Sequence, residues 1–331
     1  MITYILFVIG FVILVKGADF IVDGGSAMGL RLKISSLIIG LTVVALGTSA
    51  PELMVTLFAS ASASEASQLV IGNIIGSNIA NILLVLGVAS LIFPIVVRRD
   101  VIWVQIPLSL LAVMTLGVIA SDSILDNEAV SILTRSDGII LLLFFTVFLY
   151  YTIAQVRRQR SSFYTDVAAE QDVETQTVQY SWLKIINLIT LGLLGLFFGG
   201  RWIVDGAIRL SQDLNWDQSF VGLTIVAVGT SLPELATSVV AAFKKNADIA
   251  VGNIVGSNIV NVFFILGVGA VIKPIPFDAH NYPALFVAVL SSLVLFAAMF
   301  TGPKHHLLVR PTGIVFLVLY ALFIGYSVIA A

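Results

Sequence analysis

No cysteine occurs in the 331-residue chain, and histidine occurs only three times. The first absence excludes disulfides, thiolate metal sites and cysteine nucleophiles, while leaving the redox compartment open. Charge is scarce as well. Asp, Glu, Lys and Arg make up 11% of the residues, against roughly 25% in a soluble domain. With 59% hydrophobic residues and a mean hydropathy of +1.06, the chain reads as an integral membrane protein. A net charge of −2 gives no reason to invoke nucleic acid, and the basic residues sit in small clusters between apolar runs. The first apolar run begins at Ile2 with no basic segment ahead of it. It is too long for a signal-peptide core and lacks a clear cleavage site, so it is expected to stay in the protein.

A membrane-crossing helix needs about 20 mostly apolar residues. Ten such stretches are expected, at 2–28, 35–60, 68–94, 101–121, 138–156, 183–210, 218–243, 248–272, 281–301 and 310–330. The fold class is therefore all-α, with a helix-poor acidic connection around Ser121–Asp137. The one long polar insert, from Arg157 to Trp182, reads as a loop joining two halves, residues 1–156 and 183–331. Connections after odd-numbered spans carry Arg31, Lys33, Arg98, Arg99, Arg157, Arg158, Arg160, Lys244, Lys245, Lys304 and Arg310. Those after even-numbered spans hold little beyond Arg135 and Lys273, among several acidic residues. Positive residues stay cytoplasmic, so the insert is expected inside and both termini outside the cytoplasm of a cell-membrane protein.

The halves repeat one another. GLTVVALGTSAPEL, Gly40 to Leu53, returns as GLTIVAVGTSLPEL, Gly222 to Leu235; GNIIGSNIAN, Gly72 to Asn81, returns as GNIVGSNIVN, Gly252 to Asn261. The two repeat regions thus cover 40–81 and 222–261. Five spans per half is an odd number, so the second copy is expected to enter the membrane inverted, the arrangement in which transporters build a midplane site at the repeat interface.

Within the first phrase Ala45, Thr48, Ser49 and Glu52 share one helical face, and Ala227, Thr230, Ser231 and Glu234 form the matching set. Pro51 and Pro233 lack an N–H and clash with the preceding turn, so each helix is expected to break beside its glutamate. In the second phrase Asn73, Ser77 and Asn81 recur as Asn253, Ser257 and Asn261. Asn73 and Asn78 are read as interhelical hydrogen-bonding residues, and the glycines as sites of close helix contact. An acidic group at a span centre is unfavourable by roughly 2.5–3.5 kcal/mol. A salt bridge to Lys16 or Arg201 could account for one glutamate but not for both, because Arg201 matches Asp19 rather than a second base. Asp23 and Asp205, in the phrases IVDGG and IVDGA, are read as capping or loop anchors, and Lys16 as a local partner of Asp19. Oxygen-only ligands suit hard cations such as Ca²⁺ or Na⁺. His280, His305 and His306 all fall in connections, away from these faces.

The four phrases in this order resemble the repeats of the calcium/cation antiporter superfamily, and most resemble those of prokaryotic sodium/calcium exchangers. The resemblance covers essentially the whole chain. It implies exchange of Na⁺ for Ca²⁺ by alternating access, with these ions as the transported species, no cofactor, no enzymatic activity and no protein partner beyond the lipid bilayer. Glu52 and Glu234 would be the central Ca²⁺ carboxylates, and Thr48 and Thr230 would give backbone oxygen to Ca²⁺. Ala45, Ser49, Ser77, Ala227, Ser231 and Ser257, with the two glutamates, would line Na⁺ sites. Asn81 and Asn261 would be midplane polar groups for water or an ion. Some relatives carry aspartate where this chain has Asn261; its absence argues against potassium dependence. The insert is too short for the regulatory Ca²⁺-binding domains of animal exchangers. A proton/calcium antiporter is the alternative within this class. A cation channel would need no inverted, proline-broken pair, and an intramembrane enzyme would need a His or Cys beside Ser49 or Ser231.

Overall fold

A computed structural model describes residues 2–61, 67–125, 130–169, 180–213, 227–301 and 306–330. Its helices are α1 (Ile2–Leu32), α2 (Ser36–Thr48) and α3 (Ala50–Ala61). There follow α4 (Ser67–Ile79, continued through a π-helical Ala80–Val85 to Leu86–Ile92), α5 (Val101–Gln105 in π form, then Ile106–Ile119) and α6 (Asp122–Leu125). The remainder are α7 (Arg135–Ala169), α8 (Trp182–Asp213), α9 (Ala227–Thr230), α10 (Leu232–Phe243), α11 (Ala247–Ile259, π-helical Val260–Leu266, Gly267–Ile272), α12 (Tyr282–Ala298) and α13 (Arg310–Ala330). Among the described residues, eight helices are each long and apolar enough to cross a membrane, and α2 with α3 forms a further span bent by 43°. The start of the span expected at 218–243, including Gly222–Val226 of its repeated phrase, lies outside the described residues; α9 and α10 form the rest.

One expectation needs correction. The polar insert is not loop throughout, because α7 runs on to Ala169. No proline or glycine interrupts residues 157–169, and their Arg, Gln and Ala favour helix. The helical fold also carries short extended pieces in its connections. Four short strands, β1 (Ile95–Val96), β2 (Ser131–Leu133), β3 (Ile275–Phe277) and β4 (Leu307–Leu308), form two antiparallel ribbons, β1 with β4 and β2 with β3. Proline forces the residue before it out of the helical region. Phe93 (φ −141°, ψ 131°) before Pro94 and Lys273 (φ −147°, ψ 130°) before Pro274 therefore end α4 and α11 in the same way. The ribbons mirror each other: Ile95 faces Leu308 as Ile275 faces Leu133, and Val96 faces Leu307 as Pro276 faces Ile132.

Helices α4 and α11 lie at the centre, with 78% and 83% of their apolar windows buried against 11% for α13. A side chain at Gly256 would strike the Leu41 carbonyl at 2.7 Å and the Ala45 Cβ at 2.8 Å, so α2 lies directly against α11. Outside this core α1 and α8 cross closely. A Cβ on Gly17 would fall 2.7 Å from the Leu196 nitrogen, the small-residue contact that lets helices pack without a hydrophobic driving force in lipid.

Candidate functional site

Both proline-containing phrases break at the same residue. The chain leaves α2 at Ser49 (φ −81°, ψ 10°) and leaves α9 at Ser231 (φ −85°, ψ 4°), in each case two residues before the proline. Glu52 and Glu234 thus stand in the first turns of α3 and α10, and both are fully buried.

Serine hydroxyls meet each carboxylate. Ser77 donates to Glu52 Oε1 at 3.2 Å; Ser49 and Ser257 donate to Glu234 Oε1 at 3.0 and 3.5 Å. Ser231 donates to Ser77 at 3.3 Å, which links the phrases of opposite halves. A hydroxyl that gives its proton to a carboxylate still presents lone pairs. Thr48 donates to Asn253 Oδ1 at 2.9 Å and Thr230 to Asn73 Oδ1 at 3.2 Å, so that α11 and α4 hold their side chains. Ala45 is buried in the first turn beyond the π-helical Gly40–Val44, and Ala227 opens α9.

One turn further along α4 and α11, in their π-helical segments, stand Asn81 and Asn261. Widened π turns recur at functional positions. The Asn81 amide donates to Asn258 Oδ1 at 2.9 Å, and the Asn261 amide to Asn78 Oδ1 at 3.1 Å. Asn78 and Asn258 each donate to the other's carbonyl at 3.3 Å. Four asparagines therefore clasp the halves together.

Four acceptors remain: Glu52 Oε2, Glu234 Oε2, Asn81 Oδ1 and Asn261 Oδ1 are buried without a hydrogen-bond partner. A buried polar group left in this state costs roughly 1–3 kcal/mol, and a charged one more. Acceptors left over in matching pairs, with no donor supplied, fit a cation.

The structure brings together Glu52, Glu234, Ser49, Ser77, Ser231, Ser257, Thr48 and Thr230 as the repeats suggested. Asn73 and Asn78 make the interhelical hydrogen bonds read for them: Asn73 and its counterpart Asn253 hold the two threonines, and Asn78 with Asn258 holds Asn81 and Asn261. Their recurrence in both copies was the available signal. Neither Lys16 nor Arg201 neutralises a glutamate: Lys16 lies 4.0 Å from Asp19 and Arg201 lies 3.7 Å from Asp205. Asp23 anchors the connection after α10 by a 2.6 Å ion pair with Lys244, whereas Asp205 pairs with Arg201 on its own helix. From the other side a cavity of about 470 Å³ reaches the site. Pro51, Met54, Phe58, Gly200, Thr230 and Pro233 are among its lining residues, with Arg201 and Asp205 also on its wall.

Comparison with known proteins gives these features a family. The model for "Sodium/calcium exchanger protein" matches residues 2–154 and 184–329. The inner membrane protein YrbG of Escherichia coli is 36% identical over 89% of this chain and 87% of its own. The putative antiporter CaxA of Alkalimonas amylolytica is 35% identical over 96% and 95%. The sodium/calcium exchanger MaX1 of Methanosarcina acetivorans is 32% identical over 98% and 97%. Among solved structures, the sodium-calcium exchanger NCX_Mj soaked with Na⁺ and Sr²⁺ superposes with a TM-score of 0.79. It is 31% identical, over 98% of this chain and 97% of that one. The chain is a helical integral membrane protein and belongs to the sodium/calcium exchanger family, within the calcium/cation antiporters.

Proposed function

We propose that this chain is a secondary antiporter exchanging Na⁺ for Ca²⁺ in a cell membrane by alternating access, without a requirement for K⁺. The observation that carries this reading is the set of four buried, unpartnered acceptor oxygens, two of them on carboxylates. Two ionised glutamates supply −2, which one Ca²⁺ neutralises. Glu52 and Glu234 with the main-chain oxygens of Thr48 and Thr230 hold that ion. Na⁺ uses the same carboxylates with Ser49, Ser77, Ser231 and Ser257 and the carbonyls near Ala45 and Ala227. The two loads share oxygens, so they exclude one another. Asn81 and Asn261 keep the middle of the site polar and uncharged. With three Na⁺ per Ca²⁺ each cycle would move one net charge.

Ten crossings in two inverted halves, 1–156 and 183–331, underlie the mechanism; the reciprocal ribbons and the paired hydrogen bonds around both glutamates support that topology. The basic bias supports termini outside the cytoplasm, with the 470 Å³ cavity opening on that same side.

Radiolabelled Ca²⁺ uptake into proteoliposomes under imposed Na⁺, K⁺ or H⁺ gradients tests the reading. Uptake driven by an outward Na⁺ gradient, unaffected by K⁺ and quickened by inside-positive voltage, is expected, since three Na⁺ leaving for one Ca²⁺ entering carries one net positive charge outward. Uptake driven by H⁺ alone would replace Na⁺ with protons on the same glutamates.

A further inference from the structure

Matched residues in the two halves are used differently. In the second half Leu196, Gly200 and Val204 of α8 face Met54, Val55 and Phe58 of α3 across the cavity. Leu196 and Gly200 are themselves buried, but Met54 and Phe58 are exposed; the first-half counterparts of the α8 residues, Leu14, Ala18 and Val22 on α1, are buried where α1 packs directly on α10 through Ala236, Val240 and Ala241. One face of the site is open and its counterpart is shut.

At the edge of the shut face stands Lys244, the first residue after α10. Its Nζ lies 2.5 Å from Asp19 Oδ1 and 2.6 Å from Asp23 Oδ1, and it donates to the Asp19 carbonyl at 3.4 Å. Partial burial pulls its pKa down, but hydrogen bonds to both aspartates override this and leave it above the ordinary lysine value. The residues after Lys244 add further contacts. Lys245 turns the chain at φ 58°, and Asn246 caps α11 through the Ile249 N–H at 3.1 Å while its amide donates to Ser26 of α1 at 3.0 Å. The other half keeps only one of the three charges: Asp23 is matched by Asp205, but Asp19 is matched by Arg201, which pairs with Asp205 along its own helix at 3.7 Å, and Lys244 is matched by Ser62.

We propose that Lys244, Asp19 and Asp23 form an interhelical latch that holds α1 on α10 and biases the carrier toward the state open through the α3–α8 cavity. This rests on the alternating access proposed above. A simple exposed ion pair contributes little, but here one ammonium joins two carboxylates and a carbonyl of a single neighbouring helix. A latch of this kind acts by differential stability of two states, and its loss shifts their populations.

The absence of native cysteine allows a direct test on the full-length protein in sealed proteoliposomes. Ala236→Cys reports the shut face and Met54→Cys the open one, each read as its rate of reaction with a membrane-impermeant maleimide. In the latched protein Cys at 236 should react slowly. Lys244→Met should accelerate it about five- to thirtyfold and slow Cys at 54; Asp19→Asn with Asp23→Asn should do the same. Lys244→Arg should stay near the parent rate, and Arg209→Met, which removes a pair within α8, should change neither. If Lys244→Met does not fold, Asp19→Asn alone should give an intermediate acceleration. Unchanged rates at both sites in monodisperse Lys244→Met protein would overturn the latch. So would acceleration at both sites together, the signature of general loosening. Labelling requires no transport, so a failure of ion exchange shows separately, as absent Ca²⁺ uptake by the parent.

Discussion

The face between α1 and α10 and the face between α3 and α8 descend from one repeated pattern, yet one is packed and the other encloses about 470 Å³. The difference lies in small substitutions between the copies. Ala236 stands where the first half has Met54, and Val240 where it has Phe58. Small residues let α1 settle onto α10, while larger ones line the cavity. Charge follows the same asymmetry, with Lys244 bridging helices on one side and Arg201 turned to its own helix on the other. The cage between the faces remains nearly symmetric. An exchanger can therefore keep its ion ligands matched between halves and place its conformational bias at the periphery.

The largest expected effect comes from the feature the halves share. Glu52→Gln and Glu234→Gln should each cut Na⁺-driven Ca²⁺ uptake about 100-fold or more, since removing one charge from a buried, coordinated set costs several kcal/mol. Retention of full transport by both variants would remove the glutamates from the site. Next come the faces themselves. Ala236→Met overfills the packed side and should destabilise the shut state by about 1–3 kcal/mol, read as faster maleimide reaction at a cysteine placed at Val240. Met54→Ala, on the cavity wall, should change thermal stability by less than about 1 kcal/mol, because its side chain already borders open space. Equal effects from both would mean that the faces do not differ energetically. The smallest contrast lies between Asn253 and Asn73. Asn253 is fully buried, and besides accepting from Thr48 it donates to Ser238 at 3.1 Å and to the Glu234 carbonyl at 3.4 Å. Asn73 accepts from Thr230, and its amide nitrogen is without a partner. Asn253→Ala should weaken Ca²⁺ binding about tenfold, the worth of a lost buried hydrogen bond, and Asn73→Ala by less, as measured by isothermal calorimetry.

The carboxylates, serines and threonines of the cage were legible because repetition marks them and helical spacing puts them on one face. Proline at positions 51 and 233 foretold the breaks at Ser49 and Ser231. The asparagine clasp was only half visible: spacing showed polar stripes on α4 and α11, but not that Asn78 and Asn258 meet across the halves. Lys244 was hidden for a different reason. A lysine after an apolar run reports topology, and nothing in its neighbourhood in sequence points to Asp19 and Asp23, more than two hundred residues away. The two- and three-residue strands are too short for a periodicity, and only Pro94 and Pro274 hinted that the chain becomes extended there. The continuation of α7 past residue 156 was obscured because polarity marks the end of a membrane span, not the end of a helix.

Equilibrium binding of radiolabelled Ca²⁺ to the purified protein, titrated with Na⁺, tests the central claim of a shared two-glutamate cage most directly. The account predicts that Na⁺ displaces all bound Ca²⁺ with a Hill coefficient above one, that K⁺ displaces none, and that Glu52→Gln or Glu234→Gln abolishes the binding. Ca²⁺ that stays bound at saturating Na⁺, or that still binds tightly to both variants, would contradict it.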